Sequence, residues 1–144
     1  MKLTKAERET LRGKYGGRCA YCGCELGNRW HADHIEAVER KLAFVRNNYR
    51  LRVRATGEVH RPERDTVENL NPACAPCNID KHSMSLEAWR QKLQGAVGVL
   101  ERNHPTYRHA VRFGLVRPTG ASVVFYFERI PSTPPAGQRK EGSE

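Results

Sequence analysis

The feature that most constrains this chain is a pair of C-x2-C motifs joined by a long connection. Cys19 and Cys22 form the first pair, and Cys74 and Cys77 form the second. Four thiolates from two such pairs suit one closed tetrahedral zinc site, which holds structure and performs no chemistry. We therefore predict a structural zinc ion that draws two distant segments together. Cys24 has no partner at ligand spacing and is predicted to be a bystander.

Composition and charge narrow the class of protein. The 144 residues fit one domain, and a hydrophobic fraction of 38% with a mean hydropathy of -0.73 predicts a small core. The chain carries 25 Lys and Arg against 16 Asp and Glu, which gives a formal charge of +9 and an isoelectric point near 9.7. Such a charge attracts polyanions, so we expect nucleic acid as the partner, with an ordinary basic surface as the alternative.

The first residues and the cysteine pattern bear on localisation. The N-terminal segment runs directly into charged residues, and no stretch approaches the roughly 20 apolar residues of a membrane span. The chain has five cysteines, an odd number, and four of them form C-x2-C pairs, which fits metal binding in a reducing compartment better than disulfides. We expect a cytoplasmic protein with no membrane partner.

Local patterns predict several helices. Thr4 as a cap, with Glu7 three residues later, predicts a helix over residues 4–15. A short helix is predicted to begin near Asn78, and another is predicted over residues 105–115. Ser85 caps a further predicted helix, whose apolar stripe at helical spacing is predicted to be core: Leu86, Trp89, Leu93, Val97 and Leu100.

Strand patterns occur at both ends of the chain. Residues 30–35 alternate like a short strand, and residues 122–130, rich in Val, Phe and Tyr, predict a strand at a sheet edge. From residue 131 onward, Pro, Gly, Ser and charged residues predict a disordered tail over residues 131–144.

The connection between the cysteine pairs is rich in arginine. Residues 49–54 alternate like a strand with Arg50, Arg52 and Arg54 on one face, and Thr56-Gly57 predicts a turn after it. Because guanidinium groups match phosphate oxygens in pairs, this face is a candidate phosphate-binding surface. An ordinary solvated face is the equally weighted alternative.

Asp33 and His34, adjacent in the chain, need an explanation other than zinc. A structural zinc site gains nothing from them, whereas phosphodiester hydrolysis needs an oxygen ligand for a divalent cation and a base to activate water. Asp33 can be the ligand, Asn78 can add a carbonyl oxygen, and neutral His34 can take a proton near pH 7.

The order of these motifs resembles that of the HNH endonucleases with a zinc-bearing ββα-metal core. The resemblance covers roughly residues 18–90 and consists of C-x2-C, Asp-His-Ile, Glu-Asn-Leu, and C-x2-C-Asn-x-x-Lys. It implies an α+β fold in which a two-stranded ribbon and a helix surround a zinc knuckle made of four cysteines. An N-terminal helix and C-terminal helices plus a strand would complete a single nuclease domain over residues 1–130.

The resemblance also implies individual roles. His34 matches the general base, and Asp33 matches the carboxylate that holds a catalytic divalent ion such as Mg²⁺, Mn²⁺ or Ni²⁺. Asn69 matches the middle Asn, which braces the loop between the strands and helps to orient the histidine, and Asn78 would complete the metal site. Lys81 matches a basic residue that can touch phosphate, with a solvated lysine as the equal alternative.

Departures from the family pattern leave some positions open. The last signature residue is often His but is Asn78 here, and His82 on the same helical face is a possible substitute ligand. A surface or phosphate-contacting role is the preferred interpretation for His82. His31 is predicted to share the strand face of Asp33 in a structural role.

The resemblance implies a small phage or prophage nuclease acting on DNA in a bacterial or phage-infected cell, as a monomer or homodimer. We expect low sequence specificity, nicking, and products with a 3′-hydroxyl and a 5′-phosphate. The alternative is a zinc-stabilised nucleic-acid-binding module without catalytic activity. A third possibility is an accessory nuclease that acts with phage protein partners; it differs from the first hypothesis only in its partner.

Overall fold

A computed structural model describes residues 2–130. The predicted C-terminal tail, residues 131–144, lies outside the described residues. In chain order the elements are α1 (Lys5–Gly13), β1 (Trp30–His34), β2 (Arg40–Asn47), β3 (Arg50–Val59), a 3-10 turn (Pro62–Arg64), β4 (Leu70–Cys74), α2 (Ala75–Lys81), α3 (Leu86–Gln94), α4 (Ala96–Asn103), α5 (Pro105–Arg112) and α6 (Tyr126–Arg129). The predicted α+β class is confirmed.

The first helix begins at the predicted cap. The Glu7 amide donates to Thr4 Oγ1 at 3.3 Å, and the Thr4 amide donates to Glu7 Oε2 at 2.7 Å, so each residue satisfies a free amide of the other. Leu11 is the buried residue of this helix. Gly16 and Gly17, with φ of 62° and 73°, then turn the chain towards the first cysteine pair.

The segments that carry the motifs meet in an antiparallel pair of strands. β1 and β4 pair with Trp30 opposite Cys74 and His34 opposite Leu70, which confirms the strand predicted at residues 30–35. α2 follows β4 without a loop. It begins at Ala75 and not near Asn78 as predicted, because Pro76 fits the first helical turn, where a missing amide hydrogen costs nothing.

The arginine-rich connection forms a second, separate hairpin from β2 and β3. Its turn lies at Asn48 and Tyr49, which both have positive φ, at 44° and 67°. The predicted turn at Thr56-Gly57 is wrong, since β3 continues to Val59. The pairing register between β2 and β3 shifts between Arg40 and Leu42. Gly57, with a φ of 89°, lies in the bulge that this shift creates in β3.

The core forms around the first cysteine pair. Trp89 stacks on Phe125 with ring centroids 5.1 Å apart, and Tyr21 meets Trp89 edge-on at 5.0 Å. Cys19 and Leu26 are buried in the same cluster. The core is therefore small, as the composition predicts, and aromatic.

The strand predicted over residues 122–130 is wrong. The segment carries Phe125 into the core and then forms α6. Its backbone bonds to the cysteine turn instead of to a strand: the Tyr126 amide donates to Tyr21 O and the Phe127 amide to Ala20 O, each at 2.9 Å. Burial of the aromatic side chains thus outweighs the β-propensity of the segment.

The predicted helix after Ser85 is confirmed only in its first part. The Ser85 side chain accepts from the Ala88 amide, and Trp89 is buried. The helix ends at Gln94, and α4 restarts after Gly95. Val97 and Leu100 are 43% and 38% exposed, so the prediction that they lie in the core is wrong, because the break at Gly95 separates their helix from α3.

The next helix, α5, ends at Arg112, three residues before the predicted end. Gly114, with a φ of 72°, lies just beyond it, and Leu115 is 79% exposed. Within residues 2–130 the helices are all too short or too polar to cross a bilayer.

Candidate metal and catalytic site

The four cysteines of the two pairs come together. Their sulfurs all lie within 4.8 Å of one another, and Cys22 Sγ lies 3.8 Å from Cys74 Sγ. Sulfurs around a tetrahedral zinc ion are about 3.8 Å apart, given a Zn–S distance of roughly 2.3 Å. The cluster can therefore hold a structural metal ion. In the described part of the chain, these residues form the one group of three or more Cys, His, Asp or Glu side chains placed to share an ion.

Hydrogen bonds concentrate negative charge on one sulfur of the cluster. A hydrogen bond from Cys77 lowers the pKa of Cys19 to about 4 against the opposing effect of burial, and amide groups of the first cysteine turn and of Cys74 assist it. The same bond to Cys19 raises the pKa of Cys77. Partial desolvation and hydrogen bonds to Cys22 and Cys74 raise the pKa of the fifth thiol, Cys24, to about 12, so it stays protonated at neutral pH.

Asp33 points inward from β1 and is 7% exposed. Its Oδ2 accepts a hydrogen bond from the Tyr21 hydroxyl and forms an ion pair with Lys81 Nζ at 3.0 Å. Burial and the neighbouring Asp33 charge raise the pKa of Tyr21, which keeps it a hydroxyl donor. Asp33 Oδ1 makes no hydrogen bond to any residue that the structure describes.

The prediction that Lys81 contacts phosphate or is solvated is wrong. Lys81 is fully buried, and besides Asp33 it contacts the carbonyl oxygen of His34 at 2.6 Å. A buried ammonium group in this position cannot contact phosphate, and it is not a solvated lysine either. Its long side chain instead joins the last turn of α2 to the end of β1.

His34 lies at the end of β1, next to Asp33 but on the opposite face of the strand, because successive strand residues alternate. Its Nε2 lies 2.8 Å from Asp65 Oδ1, and the two side chains are 27% and 25% exposed. The ring is therefore accessible to solvent and held by a carboxylate. Sequence reasoning missed Asp65, because its partner is distant in the chain and no motif includes it.

Asn69 ties two backbone segments together. Its Nδ2 donates to Glu36 O at 2.8 Å and to Arg64 O at 2.7 Å, while its Oδ1 accepts from the Glu36 amide at 3.0 Å. One of these segments follows His34 and the other immediately precedes Asp65. A single side chain thus holds the segment after His34 against the segment before Asp65.

Asn78 is half-buried in α2, and its side chain makes no hydrogen bond to any part of the chain described. It lies three residues before Lys81, so the two share a side of the helix. The structure records no direct bond between Asn78 and Asp33 or His34 within residues 2–130. The other two histidines of this region, His31 and His82, are exposed, and His82 bonds to Ser83 Oγ at 2.9 Å.

The β2–β3 hairpin presents two different faces. Arg50, Arg52 and Arg54 alternate along one face of β3 and are exposed, and within residues 2–130 none of their side chains has an ion pair or a hydrogen bond. On the opposite face, large apolar side chains are more than half exposed: Leu42, Phe44, Leu51 and Val53. The arginine face is thus free to meet an anionic partner.

Comparison with known proteins does not assign this chain to a family. A scan against protein-family models, a search of curated proteins and a search of solved structures each found no match to this chain.

We expect the sulfur cluster to bind one zinc ion per chain and to depend on it for folding. Cys77→Ser should lose the ion and unfold at a lower temperature, because a structural zinc site supplies folding free energy. Cys24→Ser is the matched control and should keep the ion. Metal content by mass spectrometry, with thermal unfolding, checks both variants. Retention of zinc by Cys77→Ser and its loss from Cys24→Ser would contradict this assignment.

Proposed function

We propose that this protein is a metal-dependent DNA endonuclease of the HNH type, which hydrolyses phosphodiester bonds with water activated by His34. The observation that carries the proposal is the placement of His34. Its ring lies at a strand end, remains partly exposed, and is held by Asp65 at 2.8 Å beside the carboxylate-bearing Asp33. A positioned imidazole is the side chain most often used for proton abstraction from water.

Two oxygen donors that the motif pattern groups with this histidine suit a hard cation. Asp33 Oδ1 and the amide of Asn78 both lack hydrogen bonds within the described residues, while Asp33 Oδ2 is fixed by Lys81 and Tyr21. Mg²⁺ binds through one or two such ligands and keeps several waters. These residues would hold the ion, with Mn²⁺ or Ni²⁺ as the alternatives. When bound, it would stabilise negative charge on the phosphate oxygens.

Other residues of the chain would orient His34 and bind the DNA backbone. Asn69 fixes the loop around His34, and the arginine face of the β2–β3 hairpin supplies positive charge for the DNA backbone. Backbone contacts of this kind carry no direct sequence information, so we propose low sequence specificity. One catalytic centre per chain favours nicking by a monomer.

One observation favours a second function, that of a zinc-stabilised nucleic-acid-binding module without activity. The charge of Asp33 is already balanced by the buried Lys81, which is what a purely structural carboxylate requires. In this alternative the sulfur cluster and the arginine face serve binding alone.

Supercoiled plasmid distinguishes the two functions. We expect the wild type to convert it to open-circle DNA when Mg²⁺ or Mn²⁺ is added, and we expect His34→Ala to be slower by at least about 100-fold, since a general base contributes 10²–10⁴-fold. His31→Ala is the matched control, because His31 lies on the same strand and is exposed. Gel retardation in EDTA measures DNA affinity separately.

Equal nicking rates for His34→Ala and His31→Ala would contradict the role of His34. Retardation of the plasmid with no cleavage by any protein in any metal would favour the binding module.

The arginine face can be tested without cleavage. Replacement of Arg50, Arg52 and Arg54 by Gln should weaken binding to duplex DNA in EDTA and reduce the slope of log K against log salt by roughly 2.7, because each phosphate contact contributes about 0.9. The matched control replaces Arg102, Arg112 and Arg117, which are exposed outside the hairpin. Fluorescence anisotropy over a salt series gives both slopes. An equal reduction in both triple variants would rule out a specific role for the hairpin.

A further inference from the structure

We infer that Asp65 is a positioning residue that orients the imidazole of His34 for proton abstraction. The inference rests on the proposed function and deepens it. It starts from the contact of Asp65 Oδ1 with His34 Nε2, at 2.8 Å. Asp65 belongs to no motif in the sequence, and it reaches His34 from a different segment of the chain.

The chemistry of the two groups fixes the direction of this hydrogen bond. An ionised carboxylate only accepts, so Nε2 carries the hydrogen and donates it to Asp65. In the neutral ring the lone pair then belongs to Nδ1. His34 Nδ1 makes no hydrogen bond within residues 2–130, so this nitrogen is available to a water molecule. Asp65 thus holds the ring by one nitrogen and leaves the other as the base.

The loop around Asp65 is itself firmly held. Asp65 closes the 3-10 turn, with its amide bonded to Pro62 O at 3.0 Å. The preceding residue, Arg64, donates from Nη1 to Ala37 O at 3.1 Å, and its Nε lies 3.2 Å from Glu36 Oε2. These bonds join the turn directly to the chain that leaves His34.

Asn69 completes the same arrangement. It bonds to Arg64 O on one side and to the backbone of Glu36 on the other. The distance between His34 and Asp65 is therefore set by the backbone that Asn69 holds. The family role expected for the middle Asn, orientation of the histidine, would in this chain act through Asp65.

The base of the β2–β3 hairpin reinforces this geometry. The Arg61 amide donates to Val38 O at 3.1 Å, and the His60 amide donates to Glu39 O at 2.8 Å. The hairpin thus leaves and rejoins the domain at adjacent points. Its insertion between His34 and Asp65 in sequence does not separate them in space.

The test compares Asp65→Ala and Asp65→Asn with Glu63→Gln, a matched control in the same turn whose side chain is exposed. Nicking of a duplex substrate is measured with Mg²⁺ or Mn²⁺, and kcat and KM are separated. We expect Asp65→Ala to lower kcat by about 10- to 100-fold, a part of the 10²–10⁴-fold that a general base contributes, with KM and DNA affinity changed less than twofold. Asp65→Asn, which keeps an oxygen acceptor, should recover part of the loss, and Glu63→Gln should match the wild type.

A spectroscopic measurement tests the contact without catalysis. The Nε2 proton of His34, assigned in ¹⁵N-labelled protein by its loss in His34→Ala, should be visible at low temperature in the wild type. In Asp65→Ala it should disappear through exchange with water. This result is independent of nuclease activity, so failure of the proposed function and failure of this inference can be told apart.

Three results would overturn the inference: a kcat for Asp65→Ala within twofold of the wild type, an equal loss of kcat in Glu63→Gln, or an Nε2 proton that persists without Asp65. If Asp65→Ala does not fold, Asp65→Asn decides, since a wild-type kcat together with an absent Nε2 proton in that variant would also contradict it.

Discussion

The meeting of four cysteine sulfurs from two distant segments is the constraint on which the structure depends. Cys19 and Cys22 lie in a tight turn, while Cys74 ends β4 and Cys77 lies in the first turn of α2. Where β4 pairs with β1, Cys74 lies opposite Trp30, and α2 begins at the residue that follows Cys74. The aromatic core packs on the first cysteine turn. Because the chain has few apolar residues to bury, this turn is an important part of its small core.

α2 links the sulfur cluster to the opposite end of the β1–β4 pair. Cys77 lies in its first turn, and Lys81 in its last turn bonds to Asp33 and to the carbonyl of His34. A buried ion pair is costly to break, because removal of one partner leaves the other charge without compensation. The same short helix thus connects the sulfur cluster, which can hold a metal ion, to the candidate catalytic residues.

Local signals in the sequence predict the fold better than they predict the partners of the site. The cap at Thr4 and the strand at residues 30–35 follow from local sequence, and the approach of the distant cysteine pairs follows from their C-x2-C spacing, which is typical of ligands to one metal ion. Residues 122–130 have strand propensity, yet tertiary burial of Phe125 decides their structure. The burial of Lys81 and the contact of Asp65 with His34 depend on long-range folding, which residue spacing does not encode.

The proposed role of His34 is to activate water for attack on a phosphodiester, and the position of the water oxygen in the products tests this role. A defined duplex oligonucleotide is cleaved in ¹⁸O-labelled water under single-turnover conditions with Mg²⁺ or Mn²⁺, and its products are weighed by mass spectrometry. Activation of water by His34 predicts one ¹⁸O atom in a new 5′-phosphate, a 3′-hydroxyl on the other product, and product formation by His34→Ala that is slower by at least about 100-fold. A 3′-phosphate product, an unlabelled phosphate, or equal product from His34→Ala would contradict it.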